Sequence, residues 1–178
     1  HTIRPCVGLN DCIHRSTVEG LGFGCAGNPL SGRESEGGLK PLDKKKRVLV
    51  IGAGPAGLEL AGLAAERGHE VTLWEKAGEL GGQVVLSSKV RMNRNYAKWI
   101  KFQQWRLADA GVKIELNTEA TPEAVLAFGA DAVCVATGAK VRKPGIPGED
   151  LPHVMTVAEV LNGAKKPGKN VLVIAEDD

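Results

Sequence analysis

From residue 47 onward, short unbroken apolar runs alternate with longer stretches in which apolar residues return every third or fourth position. The runs predict strands at 47–52, 70–75, 112–117, 131–136 and 170–175, and the stretches between them predict helices at 55–67, 94–110, 122–128 and 156–163. Strands that are apolar on both faces, separated by helical spacing, belong in a mostly parallel sheet, because the crossover helices must lie on its two sides. The expected fold class is therefore α/β. The passages KVRKPGIPGED and KKPGKN punctuate the second half as turns or linkers, and no internal repeat is visible. Residues 1 to about 40 differ: they hold Cys6, Cys12 and Cys25, many glycines and little periodicity. Such a segment cannot build a core of its own and must lean on the rest.

Composition narrows the partners. The 178 residues allow one domain, or one domain with a fragment. With 23 Lys+Arg against 21 Asp+Glu the formal charge is only +2, so no nucleic-acid partner is expected, and the run Lys44–Arg47 reads as the solvated approach to the first strand. No apolar run approaches the roughly 18 residues needed to cross a bilayer, and the start has neither a basic nor an apolar leader region. The expectation is a cytoplasmic protein without a membrane partner. His1 in place of Met, and a final NVLVIAEDD that reads as a strand without its crossover helix, suggest a piece of a longer polypeptide. Three clustered cysteines plus Cys134 inside a strand argue for ligation or free thiols over a disulfide framework.

The strongest chemical signal is G-A-G-P-A-G, formed by Gly52, Ala53, Gly54, Pro55, Ala56 and Gly57 between the first strand and the first long helix. Gly52 permits the tight turn, Gly54 removes the Cβ that would block a pyrophosphate, and Gly57 lets helix and strand pack closely. Freed backbone N–H groups at the positive helix end then face the phosphates. Glu75, twenty-three residues beyond Gly52, is placed to accept hydrogen bonds from adenosine ribose hydroxyls and to repel a 2′-phosphate. FAD, NAD or ADP therefore fits better than NADP. Further contacts are expected from Lys76, from Gly81, Gly82 and Gln83 in KAGELGGQ, and from Ala136, Thr137 and Gly138 at the end of DAVCVATG. Cys134 reads as a small core residue, Trp99 and Trp105 as helix packing, and Trp74 as a candidate to flank an adenine. No histidine or carboxylate reads as a general acid or base.

Taken in order, IGAGPAGLELA, WEKAGELGGQ, DAVCVATGAKVRKPGIPG and a final VLVI resemble the FAD-binding half of the two-dinucleotide-fold flavoprotein reductases. RPCVGLNDC followed by FGCAGNP is similar to the cluster-binding segment of the trimethylamine dehydrogenase and 2,4-dienoyl-CoA reductase family, within the old-yellow-enzyme-like group. The resemblance covers essentially the whole chain. It implies a Rossmann-like FAD/NAD(P)-binding three-layer fold with an irregular N-terminal cysteine segment. Residues 1–42 would form a cluster-type linker, 43–165 the FAD/ADP-binding domain, and 166–178 the start of a second nucleotide-binding lobe. It also implies an FMN-binding barrel upstream in the same polypeptide, a 4Fe-4S cluster, and an electron-transfer flavoprotein or NAD(P)H as electron partner; a segment without the barrel would be inactive. The family places its cluster cysteines at relative positions 0, 3, 6 and 19, which fall here on Cys6, Leu9, Cys12 and Cys25. Cys6, Cys12 and Cys25 are the expected metal ligands, but four thiolates normally hold such a cluster and Leu9 supplies none. A three-cysteine cluster completed by Asp11 or His14, a lost cluster, and a zinc site from the same cysteines with His14 stay open. Ala175–Asp178 show no second phosphate loop.

Overall fold

The structure is a computed structural model that describes residues 3–36, 38–40, 42–142 and 144–175. It divides into two compact units, residues 1–138 and 139–178. In the first unit α1 (Asp11–Thr17) precedes β1 (Arg47–Ile51), α2 (Pro55–Glu66), β2 (Glu70–Trp74), α3 (Gln83–Ser88), α4 (Asn95–Asp109), β3 (Lys113–Glu115), α5 (Pro122–Phe128) and β4 (Ala132–Val135). The second unit holds α6 (Val157–Leu161). Elements expected from the apolar pattern lie within about two residues of the observed ends, with one exception: residues 170–175 form no strand.

All three strand pairings are parallel and the order is β3-β2-β1-β4. Central β1 explains its own sequence. Val48 and Val50 point to one face, where they pack with Val71 and Leu73 beneath Leu58, Ala61, Trp99, Ile100 and Leu107 of α2 and α4. Leu49 and Ile51 point to the other and join Trp74, covered by Ala124, Val125 and Phe128 of α5. Both alternations are therefore apolar, and the run reads as continuous. This is the three-layer α/β arrangement expected. Cover is incomplete at β4: Val133 and Val135, on the α5 face beside Leu49 and Ile51, are 42% and 73% exposed.

Local chemistry sets the helix ends. Thr121 caps α5 by accepting a hydrogen bond from the Ala124 N–H, Pro122 fills its first position, and Gly129 ends it in the left-handed region. In the second unit Thr156 and Glu159 form a reciprocal capping box on α6. Hydrogen bonds from the Thr156 backbone, Lys165 and the Thr156 hydroxyl hold the Glu159 carboxyl at about 2.

The missing strand has a simple cause. Val171, Leu172, Val173 and Ile174 are 60–86% exposed, and no neighbouring strand offers them a ladder among the described residues. An apolar run supplies side chains for a sheet but not the partner that satisfies its backbone. Most of the expected phosphate-loop gap at Ala175–Asp178 lies outside the described residues. The N-terminal segment is more ordered than expected, since it contains α1 and is pinned to helices α2 and α4 by a half-buried charge. Arg4 donates to both oxygens of Glu59 and to the Gly27 carbonyl, and Trp99 Nε1 donates to that same carbonyl.

Arg106 of α4 closes the network. It reaches Glu59 at 2.9 Å and forks onto Glu66, while Gln103 donates to Glu59 at 2.9 Å. Gly62 makes room: a Cβ there would lie 2.9 Å from the Arg106 Cζ. Burial pushes the Glu59 carboxyl up, but donation from Arg4 and Gln103 and the Arg106 charge outweigh it and hold it below the ordinary carboxylate value. Burial likewise disfavours the Arg106 charge, and Glu66 and Glu59 more than restore it.

Candidate dinucleotide cradle

Three turns meet where the strands end. At the C-terminus of β1, Gly52 has φ +101°, its N–H donates to the Trp74 carbonyl at 2.8 Å, and a Cβ on it would strike the Ala136 carbonyl oxygen at 2.4 Å. Only glycine accepts both the backbone angle and that contact. At Gly57 a Cβ would come within 1.8 Å of the Gly52 carbonyl oxygen, so α2 sits directly on the turn that precedes it. Gly54 is the opposite case. Its φ is −74°, and a Cβ on it would meet nothing within 4 Å. The space beyond that atom is open.

The other two turns border this opening. Gly81 donates its N–H to the Ala53 carbonyl at 2.8 Å, and Gly82, at φ +53°, brings its backbone so near that an added Cβ would lie 3.0 Å from Gly54 Cα. On the other side Ala136 continues the β1–β4 ladder by donating to the Ile51 carbonyl at 2.8 Å, and exposed Thr137 and Gly138 follow it. Helix α2 begins with no side-chain cap and with Pro55 at its first position. Its first backward bond is from Leu58 N–H to the Gly54 carbonyl at 2.9 Å, which leaves the N–H groups of Ala56 and Gly57 at the helix head.

Glu75 is held at the rim. Its Oε2 accepts from the Ala53 N–H at 2.6 Å and its Oε1 from the Ala77 N–H at 2.8 Å. Its own N–H donates to the Glu115 carbonyl, and its carbonyl accepts from Thr118. The carboxylate thus braces the glycine turn and keeps further lone pairs for hydroxyl donors. Of the remaining expected residues, Gln83 heads α3 beside Gly82, whereas Lys76 is exposed and paired with Glu119. The Glu75 brace and the Gly81–Ala53 tie carry no sequence signal beyond their residues' proximity to glycines.

Three aromatic expectations sort differently. Trp74 does not flank the opening; it is 7% exposed and meets Phe128 edge-on at 5.3 Å between centroids, because alternation along β2 turns it to the α5 face of the sheet with Leu49 and Ile51. Trp99 is core, at 6% exposure, but Trp105 is 37% exposed on the outer side of α4. Cys134 is half-buried against the main core, as expected.

The expected metal ligands do not converge. Cys6 is exposed ahead of α1, Cys12 is half-buried in its first turn, and Cys25 is half-buried in the following loop. Leu9 is 52% exposed, Asp11 shares the first turn with Cys12, and His14 faces Glu19 at 3.4 Å. Among the described residues no group of three or more His, Cys, Asp or Glu side chains is arranged to hold a metal ion. Three thiols and an apolar side chain do not make the donor set of a four-thiolate cluster. The adenine dinucleotide fares better, since the residues present fit it: an open space that a Cβ at Gly54 would fill, helix-end amides, and an acceptor at the ribose position.

Comparison with known proteins agrees with this geometry. The family model described as pyridine nucleotide-disulphide oxidoreductase matches residues 17–126 and again 46–174. A cinnamate reductase of Clostridium sporogenes is 40% identical over 97% of this chain and 26% of its own length. A dimethylamine dehydrogenase of Hyphomicrobium sp. (strain x) is 35% identical over 98% of this chain and 27% of its own. A solved 2-naphthoyl-CoA reductase superposes with a TM-score of 0.86 at 38% identity, covering 92% of this chain and 25% of that one. The chain thus spans about a quarter of the length of these relatives, whose names agree with the resemblance read from its motifs. No helix among the described residues is long and apolar enough to cross a membrane. With a parallel sheet, a dinucleotide cradle and a family match over most of its length, this chain belongs to the pyridine nucleotide-disulphide oxidoreductase family.

Proposed function

We propose that this chain is the nucleotide-holding segment of a multi-cofactor flavoprotein oxidoreductase, with residues 43–165 receiving the ADP portion of FAD. The observation that carries the reading is the opening beyond Gly54, bounded by Gly82 and α2 and braced by Glu75. The Ala56 and Gly57 amides would hold the diphosphate, and Glu75 the ribose hydroxyls. Gly82, Thr137 and Gly138 would border the rest. A bound flavin supplies reversible electron uptake, and the chain supplies placement and electrostatics. No side chain at the cradle acts as an acid or base in this reading. The similarity to reductases and an amine dehydrogenase supports an oxidoreductase assembly in which an FMN-binding barrel of the same polypeptide handles the substrate and an electron-transfer flavoprotein or NAD(P)H exchanges electrons.

A second reading is ADP as a permanent, redox-silent ligand. It is favoured by the fact that the groups with a defined hydrogen-bonding role at the cradle, the Ala56 and Gly57 amides and the Glu75 carboxylate, all serve the ADP half of a dinucleotide. The two separate cleanly by releasing the nucleotide from purified protein and reconstituting with FAD or ADP. Flavin absorbance that co-elutes with the protein supports FAD; tight ADP binding without flavin retention supports the second reading. Binding of neither overturns both.

A further inference from the structure

Between Glu79 and Asp109 the chain contains no acidic residue and six basic ones, Lys89, Arg91, Arg94, Lys98, Lys101 and Arg106. Arg106 is buried and engaged with Glu59 and Glu66. The other five are exposed, and none of them makes an ion pair among the described residues. Setting the six aside leaves 17 basic against 21 acidic residues, so the remainder of the chain is net negative.

Its position is as informative as its sign. Arg94, Lys98 and Lys101 fall at i, i+4 and i+7 and share one exposed face at the start of α4, with Lys89 and Arg91 in the turn that precedes it. The buried neighbour of Lys101, Ile100, packs against Gly81, where an added Cβ would lie 2.9 Å from its Cδ1. Gly82, the next residue, abuts Gly54. The basic hairpin α3–α4 therefore adjoins the opening through its buried face, and its cations lie on the exposed face of the same helix and turn, apart from the amides that grip a diphosphate.

We propose that this stripe steers anionic nucleotides to the cradle, raising the rate at which a diphosphate arrives and leaving the rate at which it departs to the backbone amides. The inference rests on the nucleotide-binding reading above. Unpaired charges of one sign beside a concave anion site raise the local ligand concentration and the association rate, and salt removes the effect as the screening length shrinks to about 10 Å or less. Control charges exist on the same domain. Lys45 and Lys46 are exposed at the opposite end of β1, about 16 Å away along a five-residue strand.

The test is stopped-flow binding of ADP and FAD to the intact protein stripped of nucleotide, across ionic strengths, for wild type, Lys98→Glu/Lys101→Glu and Lys45→Glu/Lys46→Glu. The expected result is a wild-type association rate that falls with salt. In the Lys98/Lys101 variant it should be lower by about tenfold at low salt and nearly equal to wild type at high salt, with dissociation unchanged. The Lys45/Lys46 variant should lie much nearer wild type. A Lys98/Lys101 association rate that matches wild type at every salt concentration overturns the proposal, as does an effect confined to dissociation, which would make these lysines contact residues. If the double reversal fails to fold, Lys98→Gln/Lys101→Gln asks the same question with half the charge change. Absence of any nucleotide binding by wild type would refute the cradle itself and is thereby distinguishable.

Discussion

Gly54 and Gly57 lie three residues apart in one turn, yet adding a methyl group to each should have opposite consequences. At Gly57 the new Cβ would lie 1.8 Å from the Gly52 carbonyl oxygen and 3.4 Å from the Ala136 Cβ. Ordinary contact needs well over 3 Å, and the obstructing atom is backbone, so α2 must withdraw by more than 1 Å from the strand it covers. Overpacking that side chains can absorb costs about 1–3 kcal/mol. Here the loss should reach about 3 kcal/mol or more, because Leu58 and Ala61, both fully buried on the same helix, move with it. At Gly54 the new Cβ meets no protein atom within 4 Å and φ is −74°, so Gly54→Ala should leave stability unchanged or raise it by about 0.4–1 kcal/mol through the unfolded chain. The same methyl group would occupy the diphosphate space, and ADP affinity should fall at least about tenfold, or 1.4 kcal/mol. Urea denaturation followed by tryptophan fluorescence reads the first quantity and titration calorimetry with ADP reads the second. A Gly57→Ala protein as stable as wild type, or a Gly54→Ala protein that binds ADP normally, would refute the reasoning.

Other outcomes follow from the rim, the buried charges and the cysteines. Glu75→Ala should weaken ADP binding and lower stability by about 1–2 kcal/mol through loss of the brace on Ala53 and Ala77, while Glu75→Gln, which keeps one acceptor, should fall between; calorimetry and denaturation on both variants check the order. The Glu59 carboxyl lies below its ordinary value of 4.5, so its contribution is fully present above that pH and is lost as pH falls through the lower folded value. Glu59→Gln should cost about 3 kcal/mol at pH 7 and flatten the acid limb of the stability profile; an unchanged acid limb would contradict the assignment. Iron and sulfide analysis of the intact protein should give much less than a full 4Fe-4S complement. Full occupancy with Leu9 in place would show that another group completes the ligand set.

What was legible in the sequence followed short-range rules. Gly52, Gly54 and Gly57 are readable because they fall at fixed spacing within six residues of one strand-to-helix turn, and β1 because both of its faces are buried. Interactions that depend on distant chain were not readable. Arg4 finds Glu59 across 55 residues, and Arg106 finds Glu66 across 40, and neither pair differs in spacing from ordinary surface charges. Helix α3, six residues long, is shorter than two turns and leaves too little periodicity to detect. Residues 170–175 show the converse error, a strand-like composition without a strand. The cysteines fall between these cases: their spacing resembles a ligand motif, but convergence is a tertiary property, and among the described residues no three such groups are placed to share a metal.

The bare flank of β4 has a practical side. Val133 and Val135 present a greasy ledge at the margin of a sheet whose outermost backbone has no neighbour among the described residues, the combination by which molecules adhere to one another. Preparations of these 178 residues should show concentration-dependent sedimentation, and exchanging both valines for threonine, which keeps the β-branched shape while wetting the ledge, is the economical remedy.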